Sequence, residues 1–286
     1  MTFSIVAYDP DESAWGVAVA SKFPAVGAVV PWAQAGVGAI ATQAFANTSF
    51  GPHGLELMAS GLSASEALEK LLSDDPERET RQVGMVDAQG AAVTFTGEEC
   101  FEWAGGLSDR GYAIQGNILT GEKTIKAMQK AFLESKGHLP IRLYAALQDG
   151  DRAGGDRRGR QSTAIYAVKP KGGYGGYLDR WFDYRVDDHT DPVARLGELL
   201  ELHELYFCES PKGERLKLSG ASLKQLQEIM AKLGYLQEKA NGQYDQATQE
   251  ALRAFTGNEN FEERCNIEAG WIDRPVLEYL LRKFGN

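Results

Sequence analysis

The opening of the chain constrains the fold most. Thr2-Phe3-Ser4-Ile5-Val6-Ala7 and Ala14-Trp15-Gly16-Val17-Ala18-Val19-Ala20-Ser21 are runs rich in β-branched and small apolar residues. Between them lies the polar, proline-containing stretch Tyr8-Asp9-Pro10-Asp11-Glu12-Ser13. This pattern predicts a β-hairpin that begins at the second residue. A chain end frays unless something ties it down, so a strand starting there is expected inside a sheet. With Met1 removed, Thr2 carries a free α-amine beside its own hydroxyl. The amine has a reference pKa of about 7.7–8.0, so a useful fraction is neutral at pH 7 and can take the hydroxyl proton. The alternative is that Thr2 is simply the first residue of a strand, where threonine is common. Ser4 is a rival hydroxyl on the same strand face.

At 286 residues the chain is long enough for one large and one small domain. Hydrophobic residues at 43% and charged residues at 24% fit the soluble globular class. No run of eighteen apolar residues occurs, so no membrane partner is expected. The N-terminus lacks a basic segment followed by an apolar core, which predicts a cytoplasmic protein. Net charge is −10 and unevenly spread. Residues 212–286 hold 11 basic and 11 acidic residues, whereas residues 1–211 hold 19 and 29. Nucleic acid is therefore excluded as an expected partner. Cys100, Cys208 and Cys265 are widely spaced and odd in number, as in a reducing compartment. His53, His138, His189 and His203 make no metal-ligand spacing, and neighbours in Asp187-Asp188-His189 point to opposite sides of an extended chain. No metal or other cofactor is expected.

Along the chain, strands are expected over 26–32 and 36–43, a loop over 44–52 and a helix over 53–60. Ser63 with Glu66 three residues on is a capping box that opens a second helix. A charged, solvated loop is expected over 74–79, then a hairpin of strands over 81–87 and 91–96, and a strand over 111–119. Helices over 123–135 and 140–147 precede the glycine- and arginine-rich loop 154–162. A strand over 163–168, a flexible link over 172–177, a strand over 181–186 and a helix over 192–207 complete this part. Segregated runs of strands and helices point to α+β with two antiparallel sheets face to face and helices outside. The composition shifts near Glu209-Ser210-Pro211-Lys212-Gly213, which sets expected domains of 1–211 and 212–286. Three amphipathic helices are expected beyond it, opened by Ser222, Asp245 and Asp273.

This strand order, with Thr2 at its start, resembles the Ntn-hydrolase (N-terminal nucleophile) fold, a four-layer αββα sandwich. The likeness is closer to one uncharacterised bacterial and archaeal family in that group. It is carried by Thr2–Val6, Gly16–Lys22, Val26–Trp32, Gly36–Asn47, Gly61–Glu66, Gln115–Asn117, Gly155–Ser162 and Val186–His189. The resemblance implies Thr2 as nucleophile, its own amine as base, and hydrolysis of a linear amide through an acyl-Thr2 intermediate. Proteasome-type members place an acid at the end of the second strand, where this chain has Ala20 and Ser21, with Lys22 nearby. The C-terminal part resembles a peptidoglycan-binding three-helix module. Leu226-Gln227, Leu233-Gly234-Tyr235-Leu236, Asn241-Gly242, Asp245 with Thr248, and Ala254-Phe255 carry that likeness.

An acyl-enzyme route needs N–H donors for the oxyanion. Asn117 is the expected catalytic partner of Thr2, and Gln43, Asn47 and Gln115 are expected around the substrate. Each amide has a turn or cap role as its alternative. In the loop, Arg158 or Arg160 is expected to hold a substrate carboxylate, oriented by Asp156 and Gln161, because a guanidinium fork suits a carboxylate. The alternative is pairing with surface carboxylates. Three readings stay open: an amide hydrolase, a non-catalytic ligand-binding protein, and a cell-wall-associated binding protein. Expected partners are a small amide or short peptide, peptidoglycan fragments and a second copy of the chain.

Overall fold

The computed structural model describes residues 2–208 and 212–285, so Met1 and the boundary expected at Pro211 lie outside the described residues. The hairpin forms as the pattern predicts, with β1 (Thr2–Asp9) antiparallel to β2 (Ala14–Ser21). Asp9 shapes the turn: its Oδ1 accepts from the N–H of Asp11 (2.9 Å) and Glu12 (3.2 Å). Its Oδ2 accepts from Arg142 Nη1 at 2.9 Å. Further strands are β3 (Pro31–Gln34), β4 (Gly38–Ala44), β5 (Arg81–Asp87), β6 (Ala92–Thr96), β7 (Gly105–Asp109), β8 (Tyr112–Asn117), β9 (Ser162–Val168) and β10 (Arg180–Val186). They make a six-stranded sheet, β10-β9-β2-β1-β8-β7, and a four-stranded sheet, β3-β4-β5-β6. All their pairings are antiparallel.

Period-two alternation sends each strand's residues into two different cores. Phe3, Ile5 and Ala7 of β1 pack with Ile125 and Met128 of α3 (Lys123–Glu134) and Leu143 and Leu147 of α4 (Leu139–Arg152). Two helices, α1 (Phe50–Ala59) and α2 (Ala64–Ser73), precede them in the chain. On the opposite face of β1, Val6 joins Val17 and Val19 of β2 and Ala39, Ala41 and Val86 of the four-stranded sheet. The outer face of that sheet, through Ile40, Val83 and Met85, packs on Phe50, Leu55, Ala67, Leu68 and Leu71 of α1 and α2. Each large apolar side chain fully buried this way contributes about 1.5–3 kcal/mol. The Ser63–Glu66 capping box is present in full.

Several expectations are corrected. Val26–Ala28 is a 3-10 turn, and the strand begins only at Pro31. Ala25 adopts a left-handed conformation (φ 49°) and donates to Asp187 O at 2.9 Å, so the chain turns where an extended run was expected. The helix expected to stop at Leu147 continues to Arg152. β7 was not expected, because Gly105-Gly106-Leu107-Ser108-Asp109 carries no strand pattern. The stretch 74–79 is not simply solvated: Asp75 is buried and ion-paired with Arg81, Oδ2 to Nε 2.8 Å. Arg81 also reaches Glu77 Oε2 and Phe45 O, each at 2.6 Å.

Contacts divide the chain into Met1–Leu200 and Glu201–Asn286, within α5 (Pro192–Phe207). The second unit holds α6 (Gly220–Lys232), α7 (Gln246–Asn258) and α8 (Arg274–Phe284). It also holds a three-stranded antiparallel sheet of β11 (Arg215–Lys217), β12 (Cys265–Asn266) and β13 (Trp271–Asp273), in the order β11-β13-β12. Helices alone were expected; strands of two or three residues are too short to show a period. Leu223, Leu226, Met230, Leu252, Phe255, Leu277 and Leu280 form its core. Among the described residues the fold is α+β with eight helices, and no helix is long and apolar enough to cross a membrane.

The Asp75–Arg81 pair sets a testable pH dependence. The hydrogen bond from Arg81 brings the Asp75 carboxyl down to about 2 from an ordinary 3.8. A carboxylate depressed in the folded state contributes stability above its unfolded pKa and loses it as pH falls through the folded value. Asp75→Asn should therefore be destabilising near neutral pH, and its deficit should shrink between about pH 4 and pH 2. Urea titrations of both proteins across that range check this; a deficit that stays constant would remove the ion pair as its cause.

Candidate active site

Thr2 and Ser4 share the β1 face of Val6, so they enter the gap between the two sheets. That gap changes character along its length. Around Trp15, Val17, Val86 and Val168 it is apolar. Around Thr2 it is lined by Gln43 of β4, Gln82 of β5, and Gln115 and Asn117 of β8, none more than 2% exposed.

These side chains form one hydrogen-bonded network. Ser4 Oγ donates to Gln43 Oε1 at 2.6 Å and accepts from Gln115 Nε2 at 2.6 Å. Gln43 Nε2 and Asn117 Nδ2 both donate to Gln82 Oε1, at 2.8 and 2.9 Å. Gln82 Nε2 donates to Gly116 O (2.8 Å) and Thr96 Oγ1 (2.9 Å). Thr94 Oγ1 donates to Gln115 Oε1 at 3.3 Å. Gly84 makes room, because a Cβ there would lie 2.0 Å from Gln115 Oε1. Among the described residues, no buried polar side-chain atom of this network lacks a partner. Leaving one unsatisfied costs about 1–3 kcal/mol. Sequence reasoning missed Gln82, although alternation along β5 puts it on the inner face with Gly84 and Val86.

Thr2 is the cross-strand partner of Asn117, and such pairs bring side chains into contact. Its Oγ1 lies 3.1 Å from Ser21 Oγ on β2, and the residue is 6% exposed. The donors differ in how far they are engaged. Gln43 Nε2 and Gln115 Nε2 each have two or more internal acceptors. Asn117 Nδ2 carries two N–H groups and, among the described residues, has one acceptor.

The other expected residues lie apart from this network. Asp156 is buried; its Oδ2 accepts from Lys22 N (2.7 Å) and its Oδ1 from Arg158 N (2.8 Å). The loop is thereby tied to the chain just past Ser21. Arg158 Nη2 is 3.4 Å from Asp156 Oδ2. Arg160 grips Asp151 with both arms of its fork, at 2.9 and 2.8 Å, and that hydrogen bonding raises its pKa further. Gln161 Nε2 donates to Asp188 Oδ1 at 3.1 Å on the surface. Asn47 accepts from Ser49 N (3.2 Å) and Oγ (2.7 Å), and donates to Asp75 Oδ2 (3.3 Å). It lines a cleft of about 480 Å³ with Phe50, His53, Glu56 and Lys70, a lining that does not include Thr2.

The first unit is thus α+β, with antiparallel sheets that share an apolar core and a hydroxyl–amide cluster at one end of it. The family model described as "Family of unknown function (DUF1028)" matches residues 2–196, and the chain belongs to that family. Residues 206–280 match the model described as "Putative peptidoglycan binding domain". The crystal structure of protein SPO2555 from Silicibacter pomeroyi, of the DUF1028 family, is similar with 29% identity. That match covers 71% of this chain and 89% of the other, with a TM-score of 0.65. Anbu (ancestral beta-subunit) from Yersinia bercovieri aligns with 13% identity over 76% of this chain and 100% of its own. Its TM-score of 0.31 is too low to bear on the fold. No curated protein matches the chain.

The network separates two neighbouring hydroxyls by their cost. Ser4→Ala strands Gln43 Oε1, leaves Gln115 Nε2 only its longer bond to Ser4 O (3.4 Å), and should destabilise by about 1–3 kcal/mol. Thr2→Ala loses one hydroxyl contact and should cost less, about 1 kcal/mol or under. Denaturant unfolding of both variants decides; equal costs would show that the network does not anchor this end of β1.

Proposed function

We propose that the chain is an Ntn-type hydrolase that cleaves a linear amide bond with Thr2 as nucleophile. The observation that carries this reading is the Thr2–Asn117 cross-strand pair, with one Asn117 N–H lacking an acceptor among the described residues. The succession of helices, six-stranded sheet, four-stranded sheet and helices in the three cores supports the αββα sandwich of that fold. Cysteines that are few, widely spaced and odd in number support a reducing, cytoplasmic compartment.

In the proposed reaction Met1 is first removed. The Thr2 amine takes the Oγ1 proton as Oγ1 bonds to the amide carbonyl carbon, and Asn117 Nδ2 donates to the oxyanion. The C–N bond then breaks, the proton passes to the leaving nitrogen, and the acyl group remains as an ester on Oγ1. Water, giving a proton to the same amine, attacks the ester carbonyl. The bond from carbonyl carbon to Oγ1 breaks, the acid leaves, and Thr2 regains its proton. Ser21 Oγ orients the Thr2 hydroxyl. Gln43 and Gln115 hold the strand ends of the site. Arg158, beside Asp156, is proposed to meet a substrate carboxylate, while Arg160 and Gln161 brace its loop.

Intact mass of the protein from its native host should show loss of Met1. Thr2→Ala should abolish turnover across a panel of N-acyl amides with little change in melting temperature. Arg158→Lys should weaken only substrates that carry a free carboxylate. Retained Met1 with no turnover would favour the ligand-binding reading, which the small exposure of Thr2 also supports.

The match over 206–280 supports a second role, binding of peptidoglycan fragments by the C-terminal unit. The full chain should co-sediment with purified peptidoglycan sacculi and be released by soluble muropeptides. If it stays in the supernatant at every protein concentration tried, that role is excluded.

A further inference from the structure

Two exposed phenylalanines stand beside the polar end of the gap. Phe45 is 59% and Phe101 60% exposed, and their rings meet edge to face with centroids 6.0 Å apart. Both are held by backbone bonds next to the network. Phe45 follows Gln43 by two residues; its N–H donates to Thr80 O (3.3 Å) and its carbonyl accepts from Arg81 Nη1 (2.6 Å). The carbonyl of Phe101 accepts from the N–H of Ile118 (2.9 Å), the residue after Asn117. Chain direction changes at both points without glycine: Ala44 has φ 66° and Ile118 φ 50°. The left-handed region is uncommon for alanine and an outlier for β-branched isoleucine, so neighbouring contacts must over-determine it. Phe23, 48% exposed and two residues past Ser21, stands on the β2 side of the same end.

Folding gains nothing from a benzyl group left in water. Contiguous exposed apolar side chains mark a site of contact. A second copy of the chain is the less fitting occupant. Two phenylalanine side chains offer at most about 300–500 Å², below the roughly 800 Å² per partner of a stable protein interface. That area suits one end of a small molecule whose other end lies in the gap.

We propose that Phe45 and Phe101 form the acyl subsite of the Thr2 site, and that the substrate is an amide with an aromatic or medium-chain apolar acyl group. This rests on the hydrolase reading for the word acyl; the apolar ligand site itself can be tested apart from turnover. With the carbonyl between Thr2 and Asn117, the acyl chain leaves the gap past the ends of β4 and β8, where the two rings stand. The pair therefore selects the acid half of the amide.

The probes are the free acids phenylacetate, octanoate and acetate, titrated calorimetrically into the full chain. Wild-type protein should bind phenylacetate and octanoate at least about tenfold more tightly than acetate, the discrimination a small apolar pocket gives. Phe45→Ala and Phe101→Ala should each lower that ratio several-fold, and the double variant should bring it near one. Phe45→Leu should keep octanoate and weaken phenylacetate. Thr2→Ala should leave the ratio intact. The inference is overturned if wild-type protein shows no preference, or if the double variant keeps it. It is also overturned if the variants change only the mass of the protein in solution, which would make the pair a contact between copies. An intact ratio without turnover of any amide sinks the hydrolase reading alone, while turnover indifferent to both phenylalanines sinks the subsite alone.

Discussion

The buried amide network is the interaction on which the rest of the first unit depends. Two sheets facing each other are ordinarily joined by apolar contact, and one end of this gap is. At the other end Ser4, Gln43, Gln82, Gln115 and Asn117 join four strands of the two sheets through short hydrogen bonds. Such bonds are strong in a low-dielectric interior and costly when broken. They also fix register. A one-residue slip of β1 would move Ser4 among Ile125, Met128 and Leu143 and bring Phe3 into the amides. The strand that begins with Thr2 is therefore held by its apolar face and its polar face together.

A second polar knot organises the C-terminal unit. Gln227 Nε2 donates to Asn241 Oδ1 (3.0 Å), Gln243 O (2.9 Å) and Thr248 Oγ1 (2.8 Å), and Gln227 Oε1 accepts from Gly242 N (2.7 Å). Asp245 caps α7 by accepting from Thr248 N and also accepts from Asn241 Nδ2 (3.0 Å). Hydrogen bonds from Asn241 and Thr248 take its carboxyl down to about 2. Gln227, Asn241, Gly242, Asp245 and Thr248 are among the residues that carried the likeness to a peptidoglycan-binding module. Their pattern is explained by holding the loop between α6 and α7, so it reports the fold of the unit.

What was legible in the sequence follows from period and local chemistry. The hairpin, the capping box at Ser63 and the Asp245 cap each need only a few neighbouring residues, and each is present. Gln43, Gln115 and Asn117 stood out because amides end otherwise apolar strands. Gln82 did not, because Arg81 and Thr80 beside it disguised an inner-face position as a strand margin. The turn at Val26–Ala28 reads as a strand because its residues are β-formers, while the bend is imposed from Asp187, far along the chain. Asp75 was misread for a related reason. Charged residues in a polar loop look solvated until the partner that faces them, here Arg81, is brought in by the fold.

Charge and donor inventory together narrow what the Thr2 end of the gap can hold. Residues 1–211 carry the whole of the net charge of −10, which disfavours a polyanion. The nearby arginines lie beside carboxylates, Arg158 by Asp156 and Arg160 by Asp151, so a substrate carboxylate proposed at Arg158 would compete with Asp156. Gln43 and Gln115 have their N–H groups engaged within the network. A highly polar ligand would have to displace those bonds and leave buried amides unpaired, at about 1–3 kcal/mol each. A ligand that asks for one donor, from Asn117, and otherwise presents apolar surface toward Phe45 and Phe101 breaks none of them. In the proposed reading, saturation of the network acts as a filter: it admits a single carbonyl and sends the acyl group out to the rings.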